Sequence, residues 1–98
     1  MTTEQYGRQA KGFAFVPNKI LDAAPGYHVM AVWCAIWRYA EGSNEGCSET
    51  LTDIAKVARV GQHRTRDAIR WLKENGWLIA EERSGYTTRY FPSLEGGQ

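Results

Sequence analysis

The chain has little of what metal, redox or membrane chemistry needs. It holds two cysteines, Cys34 and Cys47, and two histidines, His28 and His63, among 98 residues. Neither cysteine belongs to a CxxC pair, and the histidines are not spaced to complete a zinc set. No metal, disulfide framework or cofactor is therefore expected, and Cys34, inside an apolar stretch, reads as a small buried thiol. There is no HExxH, no phosphate-cradling glycine loop and no Ser–His–Asp or Cys–His grouping, so the chain is not expected to be an enzyme. His63 and Asp67 stand four apart, the spacing of a supporting pair on a helix surface. Long apolar runs are also missing. The longest, Val29 to Trp37, is about half of what a membrane-spanning helix requires. The polar start MTTEQYGRQAKG lacks the apolar centre of a signal peptide, so a cytoplasmic protein is expected.

Charge of one sign is lacking as well: the formal net charge is only +1. Apolar residues make up 43% and charged residues 23%, the balance of one small folded domain. The charges are unevenly placed, however. Arg59, Arg64, Arg66, Arg70 and Lys73 face a single acid, Asp67, between the first and last of them. Acids collect elsewhere, at Glu41, Glu45 and Glu49 and at Glu81 and Glu82. Such asymmetry suits a docking surface for a polyanion.

The stretch RVGQHRTRDAIRWLKENG, from Arg59 to Gly76, organises the rest. Gly61 serves as N-cap, and Gly76 stands where a left-handed C-terminal residue is expected. Thr65, Ala68, Ile69 and Leu72 recur at helical spacing as an apolar face. His63, Arg66, Arg70 and Lys73 recur at the same spacing about a third of a turn away. The helix is thus buried along one edge and basic along another.

Residues 1–12 read as a polar tail, 13–92 as the domain and 93–98 as a frayed end. Phe13 to Val16 has the composition of a short edge strand stopped by Pro17. Asn18 to Ala24 reads as a short helix with Ile20 and Leu21 inward. The next helix, Tyr27 to about Ala40, has an inner face of Val29, Val32, Trp33, Ile36 and Ala40. Its other side is also largely apolar, and two arrangements satisfy that. Either residues 13–24 fold back over it, or it forms a homodimer or partner face, with Trp33, Trp37 and Trp71 as candidate anchors. After the loop EGSNEG, Ser48 is placed to cap a helix from Glu49 to about Ala58, with Leu51, Ile54, Ala55 and Ala58 inward. A tight turn then leads to Gly61, with Val60 between the helices. Beyond Gly76 the period alternates: Trp77 to Arg83 and Thr87 to Phe91 read as a hairpin turned at Ser84, Gly85 and Tyr86.

The expected fold is therefore α+β, mainly α: three core helices, a C-terminal hairpin and room for a short N-terminal strand. CSETLTDIAKVARVGQHRTRDAIRWLKENGWLIAEERSGYTTRYF, from Cys47, resembles the winged helix-turn-helix domains of phage and plasmid replication proteins. The upstream FAFVPNKILDA resembles the segment preceding those domains. The chain departs from the pattern at Gly61, where Ser or Thr is common, and at Arg64-Thr65, where Thr-Val is common. The resemblance implies a sequence-specific double-stranded DNA-binding protein of a bacterial cell or infected bacterial host, serving replication or transcription control of a mobile element.

On that reading the recognition helix, residues 62–75, enters the major groove. Gln62, His63, Arg66 and Arg70 are candidates for base edges, and Ser48, Arg59, Arg64 and Lys73 for phosphates. Arg83, Tyr86, Thr87 and Arg89 on the wing, residues 77–91, are candidates for the flanking backbone. Expected partners are duplex DNA, a second copy of the chain, or a replication or transcription protein. The competing reading is a winged helix that docks a protein, such as a small phage-encoded inhibitor or adaptor, and does not itself bind DNA.

Overall fold

The computed structural model describes residues 12–97, so all but Gly12 of the tail expected over residues 1–12 lies outside the described residues. The fold is mainly helical with one small sheet. Its elements are α1 (Asn18–Ala23), α2 (Tyr27–Ala40), α3 (Leu51–Ala58), α4 (Gln62–Glu74), β1 (Leu78–Glu81) and β2 (Arg89–Pro92).

α2 runs through the middle because its apolar residues exceed one face. Val29, Val32, Trp33 and Ile36 are fully buried, with Ala35 beside them. α3 contributes Ile54 and Ala55, and α4 contributes Thr65, Ala68, Ile69 and Leu72. Trp77 closes the end of this core, edge-on to Trp33 at 6.2 Å between ring centroids. At about 25 cal/mol per Å² of apolar area, side chains of this size each contribute roughly 1.5–3 kcal/mol.

The segment before α1 folds back over part of the apolar side of α2. The Phe15 carbonyl accepts the indole N–H of Trp33 at 2.6 Å, and the Phe15 ring meets Trp37 edge-on at 5.7 Å. Trp33, a candidate surface anchor by sequence, is 0% exposed and unavailable to a partner. Trp37 and Trp71 are half-buried against the same core. Residues 13–17 form no strand. The outer edge of β2 is instead bridged by Cys47, whose N–H and carbonyl bond Tyr90 reciprocally at 2.8 Å each. Gly46 makes that approach feasible: it sits at φ +68, and a Cβ there would lie 2.7 Å from the Tyr90 carbonyl.

Ile20 of α1 points into the core, but Leu21 is 52% exposed rather than inward. Successive residues on a helix diverge by about 100°, and on this one-sided packing Ile20 takes the inner position while Leu21 turns outward. The helix expected from Glu49 starts at Leu51, and its N-cap is Thr50, not Ser48. Thr50 Oγ1 accepts the Asp53 N–H at 3.2 Å, satisfying a donor the first turn would otherwise leave open.

α4 begins after Gly61 and is followed by Gly76 at φ +78, the two positions its punctuation predicts. β1 and β2 are antiparallel, pairing Leu78 with Pro92 and Glu81 with Arg89. Both strands are shorter than the alternating stretches predict. Residues 93–97, expected to fray, return across Trp77: Ser93 N–H donates to the Trp77 carbonyl at 2.8 Å, Gly97 N–H to the Asn75 carbonyl at 2.7 Å, and Gly96 is buried.

Candidate functional site

The site is built on α4. Its buried row of Thr65, Ala68, Ile69 and Leu72 fixes the helix against α2. Thr65 satisfies its buried hydroxyl by donating to the Gly61 carbonyl at 2.9 Å. Rotation about the axis then dictates what remains outside. His63, Asp67 and Arg70 point away from the core, with side chains 85%, 41% and 65% exposed. Gln62, Arg66 and Lys73 are exposed along the adjoining flank. Five of the predicted contact residues therefore share one continuous surface: Gln62, His63, Arg66, Arg70 and Lys73.

Three of these have side-chain partners. Gln62 Nε2 donates to Thr52 Oγ1 of α3 at 3.1 Å, a strut between the two helices. Asp67 sits between two partners, 3.5 Å from His63 Nε2 and 3.9 Å from Arg70 Nη1. Its carboxylate lowers the positive potential of that part of the stripe and pre-orients the arginine.

The other predicted phosphate residues lie apart. Arg64 falls on the opposite flank of α4 from the stripe, because positions 64 and 66 differ by about 200° of helix rotation. There it meets Arg59, Tyr27 and His28 around a cleft beside the α3–α4 turn. Arg59 ends α3 in the left-handed conformation, at φ 59 and ψ 41. Ser48 is exposed on the connection into α3, and its carbonyl accepts the Thr87 hydroxyl at 2.6 Å.

The hairpin loop is held by its own side chains. Arg83 donates through Nε and Nη2 to the Thr87 carbonyl, at 3.3 and 3.0 Å, and its guanidinium lies 5.4 Å from the Tyr86 ring centre. Tyr86 is 75% exposed at the tip. Arg89 does not project as a tip cation. Its side chain is 24% exposed and lies between Glu45 at 3.4 Å and Glu81 at 3.7 Å. Two carboxylates neutralise it: Glu81 stands opposite it across the hairpin, and the Cys47–Tyr90 bridge brings the loop that carries Glu45 alongside.

Neither the Gln62–Thr52 strut nor the Glu45–Arg89 pair has a local sequence signal. Helical spacing finds a helix's own face, whereas these contacts depend on how separate segments pack. The same holds for Tyr27 and His28, which periodicity places only at a helix start. Burial pushes the thiols of Cys34 and Cys47 and the phenol of Tyr90 above their ordinary pKa values. All three are packed against the core. Among the described residues, no three His, Cys, Asp or Glu side chains gather as a metal site, and no helix is long and apolar enough to cross a membrane. No protein-family model matches the chain, and neither a curated protein nor a solved structure matches it.

Proposed function

We propose that this protein is a winged helix-turn-helix domain that binds double-stranded DNA sequence-specifically, in replication or transcription control of a phage, plasmid or other mobile element. The observation that carries the reading is the exposed basic surface of α4, formed by His63, Arg66, Arg70 and Lys73 on a helix whose opposite side is locked in the core. A helix held this way presents its side chains as a rigid unit and is narrow enough to enter a major groove about 12 Å wide. Arg66 and Arg70 read base edges, each good bidentate contact contributing roughly 1–3 kcal/mol of discrimination. Lys73 contacts phosphate and sets register. Gln62 supports the helix through Thr52 and reaches a base only by giving up that bond. The hairpin supplies Arg83 and Tyr86 to the flanking backbone, without a contribution from Arg89.

The test is retention from a random-sequence duplex pool at two salt concentrations. Enrichment of a motif, with affinity falling steeply as salt rises, is the expected result. No retention at low salt would remove the DNA reading.

The second reading, a winged helix that docks a protein, draws on the neutralised Arg89 and on Ile79, 61% exposed on the hairpin. It predicts a saturable protein partner whose binding survives Arg66→Ala but not Ile79→Asp.

A further inference from the structure

The cleft beside the α3–α4 turn faces a different side of the molecule from the stripe. It is an open depression of about 440 Å³ between the first turns of α2 and the junction of α3 with α4. Small-molecule sites span roughly 300–1,000 Å³, so the space suits one compact ligand. Arg59, Arg64 and His28 line it, and no carboxylate does. The same lining includes Tyr27, whose residue is 87% exposed. His28 is seated there by Gly26, since a Cβ at that position would lie 2.8 Å from the imidazole Nδ1. Arg59 and Arg64 come from separate turns, so the cleft gathers cations that the sequence does not place together. Arg64 in the first turn of α4 also opposes the helix dipole, a conflict that an anion in the cleft would relieve.

We propose that this cleft binds a nucleotide phosphate, gripped by the guanidiniums of Arg59 and Arg64, with the Tyr27 ring packed on the attached base or sugar. Guanidinium forks match phosphate oxygens in pairs, and an exposed aromatic ring accepts any base face. The same chemistry is offered by a free mononucleotide and by an unpaired nucleotide of a DNA strand. The inference rests on the cleft alone and stands or falls separately from duplex reading by α4.

The experiment is calorimetric titration of the full chain with inorganic phosphate, thymidine monophosphate and a short oligothymidylate. Saturable, salt-sensitive binding of the mononucleotide is expected, weakened about tenfold by Arg64→Gln and by Arg59→Gln. Tyr27→Ala weakens nucleotide binding and leaves inorganic phosphate unchanged. Arg66→Ala and Arg70→Ala leave both unchanged. Oligothymidylate binding tighter than the mononucleotide, by an amount that Arg64→Gln removes, assigns the ligand to a strand; equal affinity assigns it to the free nucleotide. Absence of saturable binding by all three ligands overturns the inference. So does binding that Arg64→Gln leaves intact, or that Arg66→Ala and Arg70→Ala abolish equally. Circular dichroism checks that the variants fold, and Arg64, exposed in the first turn of α4, decides the matter if Arg59→Gln does not.

Discussion

The indole N–H of Trp33 reaches 2.6 Å to the carbonyl of Phe15, eighteen positions earlier in the chain. This bond lets a tryptophan in the middle of α2 be fully buried without an orphaned donor, and it fastens the segment before α1 over the helix. Trp33→Phe keeps most of the apolar area but removes the bond to the Phe15 carbonyl, so a loss of about 0.5–1.5 kcal/mol is expected. Trp33→Ala should cost roughly 3–5 kcal/mol. Urea denaturation measures both, and equal stability of Trp33→Phe and the parent would show that the bond does not matter.

The start of α3 distinguishes two neighbouring hydroxyls. Thr50→Ala is expected to lose about 1 kcal/mol, within the usual 0.5–2 for an N-cap. Ser48→Ala should change stability little, because the structure engages its backbone carbonyl and not its hydroxyl as the cap. Thermal denaturation of the two variants side by side makes the comparison, and the reverse order would return the cap to Ser48.

Charge on α4 is expected to act unequally. Arg66→Ala and Arg70→Ala should lose sequence preference by roughly 1–3 kcal/mol at the base each reads, while Lys73→Ala should lower affinity for all sequences and flatten its salt dependence. Arg89→Met should leave DNA affinity nearly unchanged, since Glu45 and Glu81 already neutralise that charge. Asp67→Asn should raise non-specific affinity by freeing His63 and Arg70 from a shared carboxylate. Fluorescence anisotropy at several salt concentrations reads all five. A large loss with Arg89→Met would mean that the wing contacts DNA through it.

Stability should fall at alkaline pH. Burial is the main influence raising the Cys47 thiol above its ordinary value of 9.0. A folded state with the higher pKa holds its proton longer than the unfolded chain does. The stabilisation is therefore complete below the unfolded pKa and is lost as pH rises through the folded one. Cys34 and Tyr90 shift in the same direction for the same reason. Melting temperature should decline above pH of about 9, and less steeply in Cys47→Ala. An identical slope in that variant would remove Cys47 from the account.

At Gly46 a side chain meets two obstacles at once. The φ of +68 disfavours any L residue, and the new Cβ would press on the Tyr90 carbonyl. Gly46→Ala should cost about 1–2 kcal/mol or more and loosen the Cys47–Tyr90 pairing. Hydrogen exchange at the Cys47 and Tyr90 amides reports the pairing directly, and unchanged protection would contradict this role.

α4 was legible residue by residue. Gly61 and Gly76 mark its ends, its buried row follows the 3.6-residue period, and the exposed row of His63, Arg66, Arg70 and Lys73 follows from the same rotation. α2 was legible in extent and in its excess of apolar surface. These properties belong to one helix and one stretch of chain, so local spacing determines them. What covers that apolar surface was not legible, since either a returning segment or a second molecule satisfies the same burial. Only the packed chain shows that Phe15 and the backbone around it cover part of that surface. The split of the predicted phosphate residues between two faces, the neutralisation of Arg89 by Glu45 and Glu81, and the meeting of Tyr27, His28, Arg59 and Arg64 around one cleft were likewise settled by tertiary structure. Each depends on the distance between segments far apart in sequence, and that distance is fixed by how the shared core of Trp33, Ile36, Ile54 and Leu72 packs.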